Sequence, residues 1–356
     1  MGRVTVSPGI RRTVYGDSKA DAQRLMRLAA LRAERGEPQP DHRITVETFL
    51  FEWLETTARR TVRPSTFVSY DHYVRRHLVP ELGPTRLARL TPEDVDRFLA
   101  KKATEGLSPR TCQYMRSILR SALGWAVKRG RLARNAAALS DPPRVERRPL
   151  TPLTPEEAQR LVAAAPGHRL GALFVLALDT GARQGELLAL RWADVDLEAC
   201  VAQIVRTKHH LHGVTTFDEP KSATSRRTVA FTSTTGRMLR RHRTRQLKEK
   251  LRAGSKWQNN DLVFTTSTGL PLHASTVTHQ FQAFLSALGI RQQRFHDLRH
   301  ASASFLLAQG VPIKVIAERL GHSQISLTLS TYAHLSQELQ SEAVARMSDV
   351  LTGRRG

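Results

Sequence analysis

From Thr45 to about Ala138 apolar residues recur at three- and four-residue intervals, in Phe49, Trp53 and Leu54 and again in Tyr70, Tyr73, Val74 and Leu78. That is the period of helices with one buried face. Start signals punctuate the run: Ser65 ahead of Val68, Thr91-Pro-Glu-Asp ahead of Val95, and Ser108-Pro-Arg ahead of Met115. Each offers a side-chain acceptor where first-turn amides lack a partner. Four helices, a small bundle, are predicted. A second helical region opens at the capping box Thr154-Pro-Glu-Glu, and the stretch from Leu170 to Leu178 starts a helix expected to continue past Thr180-Gly181. Between about Val195 and Val229 the period falls to two, in Val201, Gln203 and Val205 and later in Arg227, Val229 and Phe231, which predicts a small antiparallel sheet. Helices resume from Thr234, and residues 275–350 read as almost wholly helical. The expected fold is mainly α with a small antiparallel β-sheet: a helical bundle followed by an α+β domain.

Two segments fall outside this pattern. Residues 1–42 are short and basic, with Arg-Arg-Thr-Val-Tyr reading as one strand, then a turn, then a helix capped by Asp17 or Ser18. A lone strand and helix cannot bury a core. Asp141-Pro-Pro-Arg-Val-Glu-Arg-Arg-Pro-Leu-Thr-Pro is an extended connector, because residues preceding proline avoid the helical region. The boundaries expected are an appendage at 1–42, a bundle at 43–140, a linker at 141–152 and a second domain at 153–356, in keeping with a chain too long for one core.

Charge narrows the class of partner. Lys and Arg number 55 against 32 Asp and Glu, a net +23, which points to a polyanion. Duplex DNA is the leading candidate; an anionic membrane competes, but no apolar run approaches the roughly 20 residues of a span and no signal-like segment opens the chain. A soluble, cytoplasmic, nucleoid-associated protein is expected. The bundle carries Arg59, Arg60, Arg63, Arg75, Arg76, Lys101, Lys102, Arg110, Arg116, Arg120, Lys128, Arg129 and Arg131 on faces read as exposed, with few intervening acids. Such a face suits phosphate contact, with Arg59, Arg63, Arg75, Arg110, Arg116, Arg120 and Lys128 as candidate DNA-binding residues. The chain has two cysteines, Cys112 and Cys200, assigned to different domains; this speaks against a structural disulfide and excludes a cysteine-based zinc finger.

Candidate chemistry concentrates in the second half. Tyr332 is the only tyrosine after Tyr114, and it lies ten residues beyond His322 in Leu-Gly-His-Ser-Gln-Ile-Ser-Leu-Thr-Leu-Ser-Thr-Tyr-Ala-His. Attack on a phosphodiester needs a nucleophile, positive donors for the nonbridging oxygens, and a proton donor for the departing oxygen. Arg183, in Thr180-Gly-Ala-Arg-Gln-Gly-Glu, and Arg299, in His296-Asp-Leu-Arg, are candidate clamps, since a guanidinium bonds two phosphate oxygens and keeps its charge. His296 and Arg299, three apart, share one helical face. His322 follows Leu320-Gly321, a helix stop, so its ring is expected to project from a turn. A free phenol has a pKa of about 10 and must lose its proton during attack, with His296 the nearest named base. Lys221, in Glu219-Pro-Lys-Ser-Ala-Thr-Ser-Arg-Arg, lies in a turn of the expected sheet, but on composition alone it is indistinguishable from Lys208.

With these residues in order, the chain resembles the tyrosine recombinases of the phage and mobile-element integrase type over residues 45–350. The resemblance implies that Arg183 is the first clamp arginine, Lys221 the hairpin lysine that protonates the leaving 5′ oxygen, His296 and Arg299 the His-x-x-Arg pair, His322 the later histidine and Tyr332 the nucleophile. Glu186 matches a buttressing acid and His300 a supporting histidine. It further implies a core-binding helical domain before the catalytic one, and cleavage and rejoining of DNA through a 3′-phosphotyrosyl link with no metal or other cofactor. The partners implied are double-stranded attachment sites, a homotetramer joined by C-terminal helix exchange through Leu335, Leu339, Ala343, Met347 and Leu351, and an accessory bending or directionality protein. At the amino end the likeness departs: only the last strand and helix of an arm-binding domain are read, at residues 10–36, either a degenerate domain or a start placed too late.

Three other readings compete. Val315-Ile-Ala-Glu-Arg-Leu-Gly-His-Ser-Gln-Ile-Ser resembles a helix-turn-helix, as in a noncatalytic regulator. A type IB topoisomerase would use related chemistry as a monomer. A metal-dependent nuclease would rest on Asp194-Val-Asp196 or His209-His210-Leu-His212, and neither completes a ligand set.

Overall fold

The computed structural model describes residues 2–7, 10–14, 18–34, 43–145, 151–211, 214–218, 226–321 and 348. The chain divides into two compact units, Met1–Arg148 and Pro149–Gly356. Both are mainly helical, and the small strands are all antiparallel, which is the expected fold class.

The first unit begins with β1 (Gly2–Ser7) paired antiparallel to β2 (Ile10–Val14), then α1 (Lys19–Glu34). One strand was expected here and two are present; β-branched Val4, Thr5 and Val6 supply the first. Tyr15 and Asp17 lie outside the described residues. The bundle follows as α2 (46–61), α3 (64–82), α4 (Pro92–Thr104) and α5 (Pro109–Lys128), with a one-turn α6 (Ala136–Leu139) behind it. Its core holds most of the predicted stripe: Phe49, Trp53, Leu54, Val74 and Leu78, together with Leu50, are buried against Val95, Phe98, Met115, Ile118 and Leu119, whereas Tyr70 and Tyr73 are half-buried at its edge. Thr91 and Asp94 form a capping box, and Ser108 accepts from the amide of Thr111. Ser65 is not a cap; Pro64 opens that helix at its first position, where a missing amide hydrogen costs nothing. Lys102 is also not exposed, because its ammonium is folded in between Glu81 and Glu105 at 3.1 and 2.8 Å.

In the second unit α7 (Pro155–Ala164) starts at the capping box of Thr154 with Glu157. Helix α8 (Gly171–Thr180) is the centre of the core: every residue but Asp179 is buried, as a helix apolar all round requires. Phe174 contacts the rings of Phe281, Phe284 and Phe295. This helix does not continue past Gly181, which caps it at φ +62°; a separate single turn, α9 (Gln184–Leu187), follows. Strands β3 (Val195–Asp196), β4 (Val201–Ile204) and β7 (Arg227–Ala230) form a sheet in the order β3-β4-β7, and β5 (Thr207–Leu211) with β6 (Val214–Asp218) make a separate hairpin. The parity expected in β4 is reversed: Ala202 and Ile204 are buried, whereas Val201 is half-buried and Gln203 exposed. Further on, the side chains of Arg227, Val229 and Phe231 keep the predicted inward face. The remaining described helices are α10 (Ser233–Ala253), α11 (Ala274–Ala287), α12 (Asp297–Ala308) and α13 (Ile313–Leu320). The expected helix beyond Gly321 lies outside the described residues, Ser348 apart. Among the described residues no helix is long and apolar enough to cross a membrane.

Candidate active site

The site grows from the break after α8. Gly181 takes a left-handed conformation, and a Cβ there would sit 2.4 Å from Leu320 Cδ2, so any other residue would be strained in this turn. The turn puts Arg183 immediately before α9, where the Glu186 carboxylate accepts both its amide (2.9 Å) and its Nη1 (2.8 Å). The Nη2 of Arg183 donates to the carbonyl of Gly321 at 3.1 Å. With 41% of its side chain exposed, this guanidinium is anchored on one side and open to solvent on the other.

Arg299 reaches the same break from α12. It is buried, and its Nη1 donates to the Gly181 carbonyl at 2.7 Å. His296 stands just before α12, its ring edge-on to that of His300 at 5.4 Å. Desolvation first, then the positive charges of Arg299 and Arg183, lower the pKa of His296 below the usual imidazole range. Burial, aided by His296, pushes His300 down to about 4. Two guanidiniums and a neutral imidazole therefore converge, an arrangement able to hold an anionic phosphate beside a proton acceptor.

Glu186 is buried, which by itself would raise its pKa; hydrogen bonding and charge from Arg227, with Arg183 assisting, outweigh this and hold it lowered. Arg227 was not singled out from the sequence as a site residue. Its Nη2 meets Glu186 Oε2 at 2.8 Å with both side chains buried, and its Nε donates to the Arg319 carbonyl at 2.8 Å. Arg319 in turn bonds the Asp179 carbonyl at 3.0 Å, and the Asp179 carboxylate accepts from Thr232 and Thr235. The available signal for Arg227 was strand parity: it shares a face with Val229 and Phe231, an inward place for a cation.

Of the eight residues expected at the site, Arg183, Glu186, His296, Arg299 and His300 come together. Lys221, His322 and Tyr332 lie outside the described residues. Gly321, at φ +67°, ends α13 directly before His322, as the Leu-Gly stop implied. Lys208 is buried, and its ammonium donates to the Leu272 carbonyl at 2.7 Å. In the bundle Arg63, Arg110, Arg120 and Lys128 are exposed. Arg59 and Arg75 are exposed too, pairing with Glu55 and Asp71 and lying over the rings of Phe67 and Phe51. Arg116 is half-buried and bonds Ser140 Oγ at 2.9 Å. Asp194 pairs with Arg191, Asp196 accepts the amides of Glu198 and Ala199, and no group of three metal-ligating side chains occurs among the described residues.

Comparison with known proteins matches residues 152–338 to the phage integrase family and residues 45–103 to the N-terminal SAM-like domain of phage integrases. A XerC-like tyrosine recombinase of Caldanaerobacter subterraneus is 32% identical, covering 98% of this chain and 96% of the relative. An integrase of Streptomyces ambofaciens is 34% identical over 89% of this chain and 83% of its own. Among solved structures, the Tn1549 transposon integrase in complex with a circular intermediate DNA superposes with a TM-score of 0.73 at 21% identity, covering 85% of this chain and 99% of that one. A lambda integrase tetramer bound to a Holliday junction gives 0.60 at 20% identity, covering 91% and 89%.

Proposed function

The chain belongs to the phage integrase family of tyrosine recombinases and performs site-specific DNA recombination, and on that premise we propose that Tyr332 is its nucleophile, acting on a phosphate held by Arg183, Arg299 and His322. What supports this most is the convergence of Arg183, Arg299 and His296 at the break after α8, in the order the family's motifs require. The Tyr332 oxygen bonds to phosphorus as the bond from phosphorus to the 5′ oxygen breaks. The phenolic proton passes to His296, and Lys221 gives a proton to the leaving oxygen. A 3′-phosphotyrosyl link and a free 5′ hydroxyl result. The 5′ hydroxyl of a partner duplex then attacks that link and releases the tyrosine. Each phosphoester bond broken is replaced by another, so the exchange needs no energy source, and the guanidiniums supply the charge that a metal would otherwise bring. Glu186 buttresses Arg183, and His300 supports His296.

Residues 43–140 grip the duplex as a core-binding domain, the linker spans 141–152, and residues 153–356 are catalytic; residues 1–42 are an arm-binding-like segment. Exchange between two duplexes cuts four strands, so four subunits act together, with the segment containing Leu335, Leu339 and Met347 docking on a neighbour. The lambda integrase tetramer on a Holliday junction favours this assembly. The element moved is a prophage or another mobile element in the cytoplasmic nucleoid, with an accessory protein setting direction.

The test is a nicked suicide duplex bearing an attachment site. Wild-type protein should leave a denaturation-resistant adduct. Tyr332→Phe should bind the duplex equally well and form none, and an adduct surviving in that variant overturns the assignment. Arg183→Ala should slow adduct formation by about 100- to 1000-fold, the usual consequence of losing one oxyanion donor. Because the pKa of His296 is lowered, the base is neutral at pH 7; the acid limb of the rate profile should fall at a pH below the ordinary histidine range, and an alkaline limb should appear where the lysine that protonates the leaving oxygen loses its charge.

A further inference from the structure

We propose that Arg227 is a positioning residue for strand cleavage, holding Glu186 and the Gly321 turn so that Arg183 keeps its outer face for the phosphate. This rests on the reading of Arg183 as a phosphate-binding group. The guanidinium of Arg227 joins three separate segments. It clasps the Glu186 carboxylate through Nη2 at 2.8 Å and Nη1 at 3.3 Å, and its Nε bonds the Arg319 carbonyl at 2.8 Å. The plane of the same group floors the turn, since a Cβ on Gly321 would lie 2.8 Å from Arg227 Nη1 and 3.1 Å from its Cζ. The Gly321 carbonyl receives Arg183 Nη2, and Arg183 Nη1 returns to Glu186, which closes the ring.

The charge balance gives this ring its consequence. Glu186 is buried and has two cationic neighbours, Arg227 fully inside and Arg183 part-exposed. Without Arg227 the carboxylate would have Arg183 alone, and would draw that guanidinium inward from the position where a phosphate is held. A lysine at 227 would supply the charge but has no planar fork to bond a carboxylate and a carbonyl together. Strand β7 sets the geometry: Arg227 is its first residue, in register with Ile204 of β4, so its side chain enters the site from a rigid sheet.

The experiment measures adduct formation on the suicide duplex at saturating protein, with duplex affinity and thermal unfolding measured alongside. Arg227→Lys should bind with wild-type affinity and cleave about 100-fold more slowly, the scale of effect for a misplacement near 1 Å. Added to Arg183→Lys, it should slow the reaction less than about threefold further, because residues acting as one unit are not additive. A rate within threefold of wild type, a loss confined to affinity, or full multiplication of the two effects would each overturn the proposal. Should Arg227→Lys fail to fold, Gly321→Ala carries the same expectation, because a Cβ there presses on the Arg227 guanidinium and strains the left-handed turn that Arg227 floors; a wild-type rate there overturns it equally. A wild-type protein that forms no adduct defeats instead the reading of Tyr332 and its phosphate clamp.

Discussion

Glu186 shows how one buried carboxylate can set the direction of two cations. Replacing it with Gln would leave the charge of Arg227 buried and uncompensated, so Glu186→Gln should lower the unfolding free energy by about 3 to 5 kcal/mol in denaturant titrations. The lowered pKa fixes the sign of its pH dependence: its contribution is present above the unfolded carboxyl value and is lost as pH falls through the lower folded value. His242, alongside His300, contributes in a separate window. Its Nε2 bonds the Val263 carbonyl at 2.7 Å and its Nδ1 accepts from Arg245, and burial pushes its pKa down to about 4. Between about pH 6.5 and 4 the unfolded chain takes up a proton at this position that the folded chain refuses, so stability falls as pH drops, by on the order of 3 kcal/mol. His242→Gln should flatten that part of the pH–stability curve; an unchanged slope would refute the assignment. At this scale the sequence was informative where spacing encodes geometry. His296 was legible because it lies one helical turn from Arg299, whereas Arg183 was read as a candidate clamp without the left-handed turn that aims it, since the helix was expected to continue past Gly181. Arg227 was not legible, since beside Arg226 only its strand parity with Val229 and Phe231 sets it apart.

At the level of elements, local chemistry was easier to read than packing. Thr91, Ser108 and Thr154 cap the helices assigned to them because a cap is a bond between residues three apart. The parity of β4 was misread because four residues carry too little pattern, and small Ala202 rather than Val201 faces the core. The extension of α8 past Gly181 failed for a tertiary reason: the left-handed turn is fixed by the close approach of Leu320 and by Arg299 on its carbonyl. Helix α5 offers a test of basic residues that composition treats alike. Arg116 ties the helix to Ser140 Oγ and to the carbonyls of Ala138 and Ser140, whereas Arg120 and Lys128 are exposed. Arg116→Gln should therefore lower the melting temperature by several degrees, as expected for a loss of about 1 to 3 kcal/mol. Arg120→Gln and Lys128→Gln should leave the melting temperature unchanged and each reduce the salt slope of DNA binding by about one unit if they meet phosphates. Melting curves and affinity at several salt concentrations separate the two kinds of arginine, and an unshifted melt for Arg116→Gln would count against its anchoring role.

Across the whole molecule the net charge of +23 and the anchored site should respond to salt in different ways. Binding depends on many exposed cations releasing counterions from the duplex, so its affinity should fall log-linearly with salt. About six to ten phosphate contacts correspond to a loss of roughly 10³- to 10⁵-fold between 50 and 200 mM. On the proposed assignment, cleavage depends on a few groups whose places are fixed by the protein: Arg299 is buried on the Gly181 carbonyl, and Arg183 is tied to Glu186 and the Gly321 carbonyl. Interactions of that kind are screened far less than those between exposed charges. Single-turnover cleavage of a suicide duplex, with protein raised at each salt concentration until binding saturates, should therefore hold a nearly constant rate while the dissociation constant climbs by orders of magnitude. A saturated rate that declined in parallel with affinity would mean that the guanidiniums are not preorganised and are ordered only by the duplex itself.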